Sequence, residues 1–314
     1  GYSDGYTPTA FAGTFDGKGH TVTLTLDTIG QSYVGFFGYV TGTVKNLTVD
    51  GSVKADSTGS NGIGHAAGVV AYLAGGTVKM CVNRASVTTD KCCYTAGIVG
   101  GSENGKIKNC RNTGEISSTY ESTGGHAAGI ANEAESVTQC WNEGDIELKT
   151  VKGKSANSRV AGVATGAPVL NSANFGKVSG PTWAETGVSI GGVGTTAVSN
   201  SYNLGTVTGA AGKTYNISGG TVVNSYYADI AGKTGIYVKD SAGITDADKS
   251  QSITITEVDG KKAYKVGNVE LVDVLNGACK NISGALEWIN KQEAPNNPVH
   301  ITRWDGSFEP GVKG

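Results

Sequence analysis

Two acidic residues hold equivalent positions in neighbouring repeats of this sequence. Glu115 and Asp145 each follow an Asn-x-Gly motif, Asn112–Gly114 and Asn142–Gly144. If the repeats stack as β-strands, the two carboxyl groups lie roughly 5 Å apart, which is within the range of a retaining glycosidase. Lys177 holds the same position one repeat later and would favour the ionised form of Asp145. The alternative, which we favour, is a solvated row of charges.

A strip of larger side chains runs beside these charges, with one residue from each repeat. We expect the strip to be exposed, so that its aromatic rings could stack on sugar rings. The alternative is that these side chains simply cover the sheet. The members of the strip are Val82, Arg111, Trp141, Ala173, Tyr202 and Tyr226.

A second set of polar and aromatic residues precedes a recurring glycine by three positions. The longest insertions enter the same edge and bring in Tyr120 and Trp183. Loops gathered on one edge of stacked repeats are where such proteins usually bind ligands, although turns without a ligand are the alternative. The set is Ser32, His65, Tyr94, His126 and Arg159. The insertions are at about residues 54–64, 117–125, 149–158 and 180–186.

Other short motifs match known catalytic or phosphate-binding strings only in part, and the structure predicted around them is the wrong one. Gly187–Gly191 matches the nucleophile-elbow string, but Ser189 falls in a strand of the repeat and not in a strand-to-helix turn. Gly212–Thr214 echoes a phosphate loop, but Val207 stands where the first glycine is required. The histidines lack the spacing of a zinc protease and the cysteines lack metal-ligand spacing. We therefore predict no catalytic residue, no metal and no cofactor.

The element that must position the candidate residues is a repeat of two short strands and two turns, best seen in residues 97–116. Such strands cannot fold alone, but stacked coils bury a continuous core. We predict an all-β fold, a β-helix-like solenoid of about seven coils over residues 1–233. The first strand is marked by Gly35, Gly68, Gly97, Gly129, Gly162 and Gly191. The second strand recurs at Val44, Val78, Ile107, Val137, Val169, Val198 and Val222.

Two further columns support stacking. Small residues suit a tight inward corner, and stacked asparagine amides can hydrogen-bond as a ladder along the stack. Three cysteines share the corner, so we expect free buried thiols there, and the adjacent Cys92 and Cys93 should not bridge each other. The corner column is Leu47, Cys81, Cys110, Cys140, Ser172, Ser201 and Ser225. The amide column is Asn83, Asn112, Asn142, Asn174 and Asn203.

Residues 234–314 differ from the repeats and predict a small α+β cap that covers one open end of the solenoid. Ile253–Val266 has the pattern of a hairpin around Asp259–Gly260. A helix is predicted from Val269 to about Lys280, and a last strand at Pro298–Trp304.

Composition excludes some classes of partner. The net charge is −2 and the chain has no run of lysine or arginine, so we predict no nucleic-acid partner. No segment approaches the roughly 18 apolar residues of a membrane helix, so we predict no membrane insertion. Glycine contributes 49 of 314 residues, which favours many short strands and tight turns.

Three phrases resemble the GLUG-motif repeats of bacterial cell-surface proteins. They are Phe15–Val22, Gly97–Gly100 and the Asn-Cys-x-Asn-x-Gly-x-Ile string of Asn109–Ile116. The resemblance covers most of the chain. It implies a β-helix-like solenoid displayed outside the cell, in adhesin-like proteins and beside some immunoglobulin-cleaving metalloproteases. It also implies that the chain is part of a longer protein, and it implies no activity.

We therefore expect a non-enzymatic extracellular surface module, structural or adhesin-like, whose partners are glycans or a host surface protein. One alternative is a glycan-active β-helix enzyme, a glycosidase or lyase that uses the acidic pair. Another is a module that only binds glycans. The candidate binding residues are Arg111, Glu115, Trp141, Asp145, Lys177, Tyr202, His65, Tyr94, His126, Arg159 and Trp183.

Overall fold

A computed structural model describes residues 9–57, 64–199, 201–223 and 225–227, together with three strands between residues 253 and 271. In these residues the chain forms strands and no helix, and the strands from 14 to 227 pair in parallel, each with the same strand of the next repeat. The predicted parallel β-solenoid is confirmed. The solenoid has about six complete turns, because seven strands stacked one above another enclose six intervals. The sequence had predicted about seven coils.

Each turn contributes up to five strands, which form five stacks named here in chain order. Stack 1 contains Thr14–Asp16, Thr43–Lys45, Thr77–Lys79, Lys106–Lys108, Ser136–Thr138, Val169–Leu170, Val198–Ser199 and Val222–Val223. Stack 2 contains Val82–Asn83, Arg111–Asn112, Trp141–Asn142, Ala173–Asn174, Tyr202–Asn203 and Tyr226–Tyr227. Stack 3 contains Ser86–Asp90, Ile116–Thr119, Ile146–Lys149, Val178–Ser179 and Val207–Thr208.

The chain then crosses to the opposite side of the solenoid. Stack 4 contains Tyr33–Val34, His65–Ala67, Tyr94–Ala96, His126–Ala128, Arg159–Ala161, Ser189–Gly191 and Thr214–Tyr215. Stack 5 contains Phe37–Val40, Val70–Ala74, Val99–Glu103, Ala131–Asn132 and Ala164–Thr165. In the first two turns, the long strands Thr21–Ile29 and Thr48–Asp56 run through the positions of both stack 2 and stack 3.

The predicted asparagine ladder is present and lies inside the solenoid. The Nδ2 of Asn112 donates to the Oδ1 of Asn142 at 2.8 Å and to the carbonyl of Gly114 at 2.8 Å. Asn83, Asn142 and Asn174 donate the same pair of bonds, and Asn203 ends the ladder by accepting from Asn174 and donating to the Gly205 carbonyl. All five asparagines are buried. Both amide hydrogens are therefore bonded at each step, which removes the cost of burying the amide.

Glycines on the opposite wall make room for the ladder. A Cβ on Gly97 would collide with the side chain of Asn112, and one on Gly129 would collide with Asn142. The amides thus press directly against backbone, and the interior narrows at the ladder. The narrow waist separates two apolar clusters, one lined by stacks 1 and 5 and the other by stacks 3 and 4.

Two glycine assignments from the sequence are wrong by one residue. Ala161 pairs with Gly191, so Gly192 is the equivalent of Gly162, and a Cβ on Gly192 would meet the amide of Asn203. In the first turn Val34 pairs with Ala66, which makes Gly35 the equivalent of Ala67. At residues 191–192 two glycines are neighbours, and the sequence pattern does not decide which one faces the ladder. In the first turn Phe36 occupies the position of Gly68, so the nearest glycine was the wrong marker.

The predicted corner column is also present, and hydrogen bonds link its successive residues along the solenoid axis. The backbone N–H of Cys110 donates to the Sγ of Cys140 at 3.4 Å, and the N–H of Cys140 donates to the Oγ of Ser172 at 3.1 Å. Ser201 continues the series. Cys81, Cys110 and Cys140 are free and buried, as predicted. Cys92 and Cys93 do not bridge each other, as predicted, and they are buried as well. Cys279 lies outside the described residues.

Of the elements predicted for residues 234–314, only the hairpin is confirmed. Ile253–Val258 pairs antiparallel with Lys261–Val266. The helix predicted from Val269 is wrong at its first residues, because Val269–Leu271 forms a third antiparallel strand against the hairpin. The rest of that helix, the strand at 298–304 and the boundary at 233/234 lie outside the described residues. Within the described part, no helix is long and apolar enough to cross a membrane.

Asn142→Ala should destabilise the fold strongly. The change removes the donor to the Gly144 carbonyl and to the Asn174 Oδ1, and leaves both acceptors buried. We expect a loss of about 2 to 5 kcal/mol in the free energy of unfolding, measured with urea. The exposed Asn216→Ala is the matched control and should change stability little. Equal stability of the two variants would contradict a structural role for the ladder.

Cys110→Ser should reduce the stability of the fold slightly, and Cys110→Asp should reduce it strongly. Ser172 shows that a hydroxyl fits this column, since its Oγ donates to the Leu170 carbonyl at 2.9 Å. An aspartate would bury a charge with no cation beside it, which costs several kcal/mol or raises its pKa until it is neutral. Thermal unfolding of both variants checks the order, and a serine variant less stable than the aspartate variant would contradict it.

Candidate functional site

The acidic pair lies in one exposed row, as the repeat spacing predicted. The N–H of Val87 bonds to the Glu115 carbonyl, and the N–H of Ile116 bonds to the Asp145 carbonyl, so the two acids are one turn apart. The Oδ1 of Asp145 accepts the backbone N–H of Lys177 at 2.8 Å. Asp145 therefore forms part of the turn, on an outer surface open to water. This placement favours the interpretation as a solvated charge row.

The strip beside the acids has the predicted register but not the predicted exposure. Arg111 pairs with Trp141 along the stack, yet Trp141 is only 1% exposed and Ala173 is fully buried. Phe175 covers the indole, with ring centres 6.2 Å apart. Arg111 is partly exposed, but its Nη2 donates to Glu143 at 2.7 Å. The expectation of an exposed aromatic strip is wrong, because the turn residues fold back over it. The side chain of Tyr202 is not described.

The second predicted set forms a ladder of rings on the outer side of stack 4. Tyr33 stacks on His65 with centres 5.5 Å apart, and His65 stacks on Tyr94 at 4.8 Å. His126 meets the edge of Tyr94 at 4.8 Å, and Arg159 follows one turn later. Ser32 was assigned one residue too early, since Tyr33 is the partner of His65 in the register.

A column on stack 5 that the sequence analysis missed packs against this ladder. Tyr72 lies edge-on to His65 at 4.8 Å, and Tyr39 packs against Tyr33 at 5.7 Å. Further along, the Oε1 of Glu133 lies 3.3 Å from His126 Nδ1 and 3.2 Å from Arg159 Nη1. The pairing of Tyr39 with Tyr72 in successive repeats would have revealed this column.

His65 is buried in this ladder and is only 3% exposed. Neither ring nitrogen has a hydrogen-bond partner among the described residues, and three tyrosines surround the ring. Burial, and to a lesser extent the charge of His126, lowers the pKa of His65 to about 3. The imidazole is therefore neutral, and it acts as a flat ring in a stack.

His126, Glu133 and Arg159 have the residue types of a catalytic centre but not its geometry. Thr165 Oγ1 lies 3.4 Å from His126 Nδ1, the same nitrogen that Glu133 approaches. A nucleophile relay requires the acid and the hydroxyl on opposite ring nitrogens. Thr165 also donates to Asn132 Oδ1 at 2.7 Å. Burial, and then the Arg159 charge, lowers the pKa of His126 to about 3. The cluster is an ion pair that supports the wall.

The loops between stacks 3 and 4 form one continuous edge, as predicted, and we call it the loop edge. Backbone hydrogen bonds of 2.8 Å link successive loops, from Gly124 to Ala156 and from Asn157 to Thr186. Tyr120 is only 6% exposed, so its expected place at the loop surface is wrong. The described loops of this edge are at residues 91–93, 120–125, 150–158, 180–188 and 209–213.

Trp183 remains at the surface of the loop edge, 39% exposed. The Nζ of Lys152 lies 5.5 Å from the centre of its ring. Among the predicted aromatic candidates whose side chains are described, Trp183 is the most accessible.

The remaining motifs have no catalytic geometry. Ser189 begins a strand of stack 4 rather than a strand-to-helix turn. Gly212 leads through a turn into the strand Thr214–Tyr215, so no helix follows to hold a phosphate. Among the residues that the structure describes, no group of three or more His, Cys, Asp or Glu side chains could hold a metal ion.

A cavity of about 370 Å³ lies on the outer side of stack 3, at its end near the first turns. Its polar lining includes Asp27, Asp56 and Asp90. Lys54 binds Asp27 at 3.3 Å and offsets part of this charge. Asp27 and Asp56 lie in the long strands of the first two turns, and Asp90 ends the first strand of stack 3, so no repeated motif marks the three together.

No family model matches the chain, and no curated protein matches it. Among solved structures, one titled "IgA1 Protease" matches with a TM-score of 0.36 and 16% identity, over 70% of this chain. The chain spans 17% of the length of that protein. A likeness of this size says nothing about activity.

His65 should make the stability of the fold depend on pH. Its pKa is about 3 in the folded chain, against an ordinary 6.5. The unfolded chain binds the proton more readily, so the contribution is complete above pH 6.5 and is lost as the pH falls toward 3. At pH 5 the loss from this residue is about 2 kcal/mol.

The check is urea unfolding at pH 7 and pH 5 for the wild type and for His65→Phe. Phenylalanine keeps the ring stacking and does not titrate, so this variant should lose about 2 kcal/mol less on acidification. His20→Phe changes an exposed histidine and should behave as the wild type does. An unchanged pH dependence in His65→Phe would show that His65 does not remain neutral.

Proposed function

We propose that this chain is a non-enzymatic, extracellular surface module of a larger bacterial protein with GLUG-type repeats, and that the loop edge presents ligand-binding groups to glycans or a host surface protein. The observation that supports the proposal is the contrast between two parts of the molecule. In the interior ladders each amide or thiol bonds to the next turn, whereas the loop edge exposes an aromatic ring on loops that are hydrogen-bonded to one another.

The alternative is a glycan-active enzyme that uses Glu115 and Asp145. A glycosidase of this kind needs one protonated carboxyl group, which a low-polarity wall usually maintains. Both side chains lie in an exposed row, and Asp145 is occupied by the Lys177 N–H. The exposed row gives less support to catalysis than to a structural role.

Incubation of the purified chain with a panel of polysaccharides should release no new reducing or unsaturated ends. The combined substitution Glu115→Gln and Asp145→Asn should leave any binding unchanged, because neither side chain belongs to the loop edge. Cleavage that this double variant abolishes would replace the proposal with the enzyme. Surface labelling of cells that produce the full protein tests its location, and labelling only after lysis would contradict an extracellular module.

A further inference from the structure

Exposed apolar side chains are few, and two of them lie on successive loops. Among the residues that the structure describes, only Ile29, Val151, Leu170 and Trp183 are large, apolar and exposed. Val151 and Trp183 lie on successive loops of the loop edge. An indole on an outer loop contributes nothing to the core, and the buried Trp141 shows that this fold can cover an indole when it is structural. A ligand is therefore a physical reason for its position.

The loop with Trp183 is fixed to the loop before it by one carboxylate. Glu185 Oε1 accepts the N–H of Gly153 at 2.6 Å, and its Oε2 accepts the N–H of Ser155 at 2.9 Å. Burial would raise the pKa of Glu185, but these hydrogen bonds outweigh that effect and hold the pKa below its ordinary value. The clamp stays ionised at neutral pH and limits the freedom of both loops. The loss of conformational entropy when a ligand binds to these loops would therefore be small.

The charge around the indole is positive. Lys152 Nζ lies over the ring, and Lys154 is on the same loop. Neither lysine has an ion-pair partner among the described residues, whereas Lys149 is held by Glu147 at 3.0 Å. The Glu185 carboxylate already receives two backbone donors. The free cations thus favour an anionic ligand.

A single exposed indole with one lysine beside it suits a small ligand. One indole face matches one pyranose, whose C–H bonds can stack on it, and an ammonium group at the ring can bind a carboxylate. A stable protein interface buries roughly 1,200 Å² or more, which two apolar side chains do not provide. We propose that Trp183 and Lys152 form a binding site for one carboxylate-bearing sugar residue, a uronate or a sialate. This inference rests on the proposed surface function only for the choice of a glycan.

The test is calorimetric titration of the whole chain with digalacturonate and with 3′-sialyllactose, and with lactose as the uncharged counterpart. One of the two acidic sugars should bind and lactose should bind at least about tenfold more weakly, since tenfold corresponds to one favourable charge contact. The two acidic probes distinguish a uronate from a sialate. Binding should weaken as salt is added.

Variants locate the site. Trp183→Ala and Lys152→Glu should each weaken binding at least about tenfold, while Lys152→Arg keeps the charge and should stay within about threefold. Leu170→Ala removes an exposed apolar side chain on stack 1 and is the matched control. Glu185→Gln leaves the indole in place but weakens the clamp, so it should reduce affinity several-fold without unfolding the chain. Urea unfolding confirms that each variant is folded.

Three results would overturn the inference. They are no binding of either acidic sugar at about 10 mM, equal binding of lactose, and unchanged affinity in folded Trp183→Ala. None of them bears on cleavage or on location, so a failure here leaves the proposal of a non-enzymatic, extracellular module in place and removes only this glycan site. Conversely, polysaccharide cleavage by the chain would refute the non-enzymatic module while this binding site stood.

Discussion

The buried asparagine ladder is the constraint on which the rest of the solenoid depends. Each amide must bond its two hydrogens in a place without water, and it does so only if the next turn stands directly above, in register. The ladder therefore fixes the stacking of successive turns whatever the length of their loops. The backbone of Gly97 and Gly129 on the opposite wall is the geometric counterpart, because any side chain there would displace an amide.

The first two turns show what happens without the ladder. Val22 and Val49 stand where Asn83 stands in the third turn, and there the chain runs as nine-residue strands. From Asn83 onward each amide bonds to a carbonyl two residues later, which turns the chain and divides the long strand into stacks 2 and 3. One residue type thus sets both the register along the axis and the shape of the cross-section.

The sequence alone predicted those features that recur at fixed spacing. The asparagine column, the thiol and hydroxyl corner, and the gathering of loops on one edge all follow from the repeat. The exposure of individual side chains was harder to predict from the sequence. It depends on turn residues such as Phe175, which packs against Trp141, and these residues differ between turns. The Tyr39 and Tyr72 column was missed because the tyrosine recurs in only two turns, with Gly101 at the same position in the next turn. Its packing against His65 also joins two different stacks.

The same physics separates structural groups from groups free to bind. Side chains in the ladders use their hydrogen bonds or ring faces in contacts with neighbours one turn away. Even His65, whose nitrogens lack partners among the described residues, is enclosed between tyrosines. A ligand could reach such groups only by disrupting the stack. The loops are different, since their length varies without disturbing the register. Binding groups can therefore change on the loop edge while the interior stays the same, which is why Trp183, and not the larger ring ladder, is the position where recognition fits this fold.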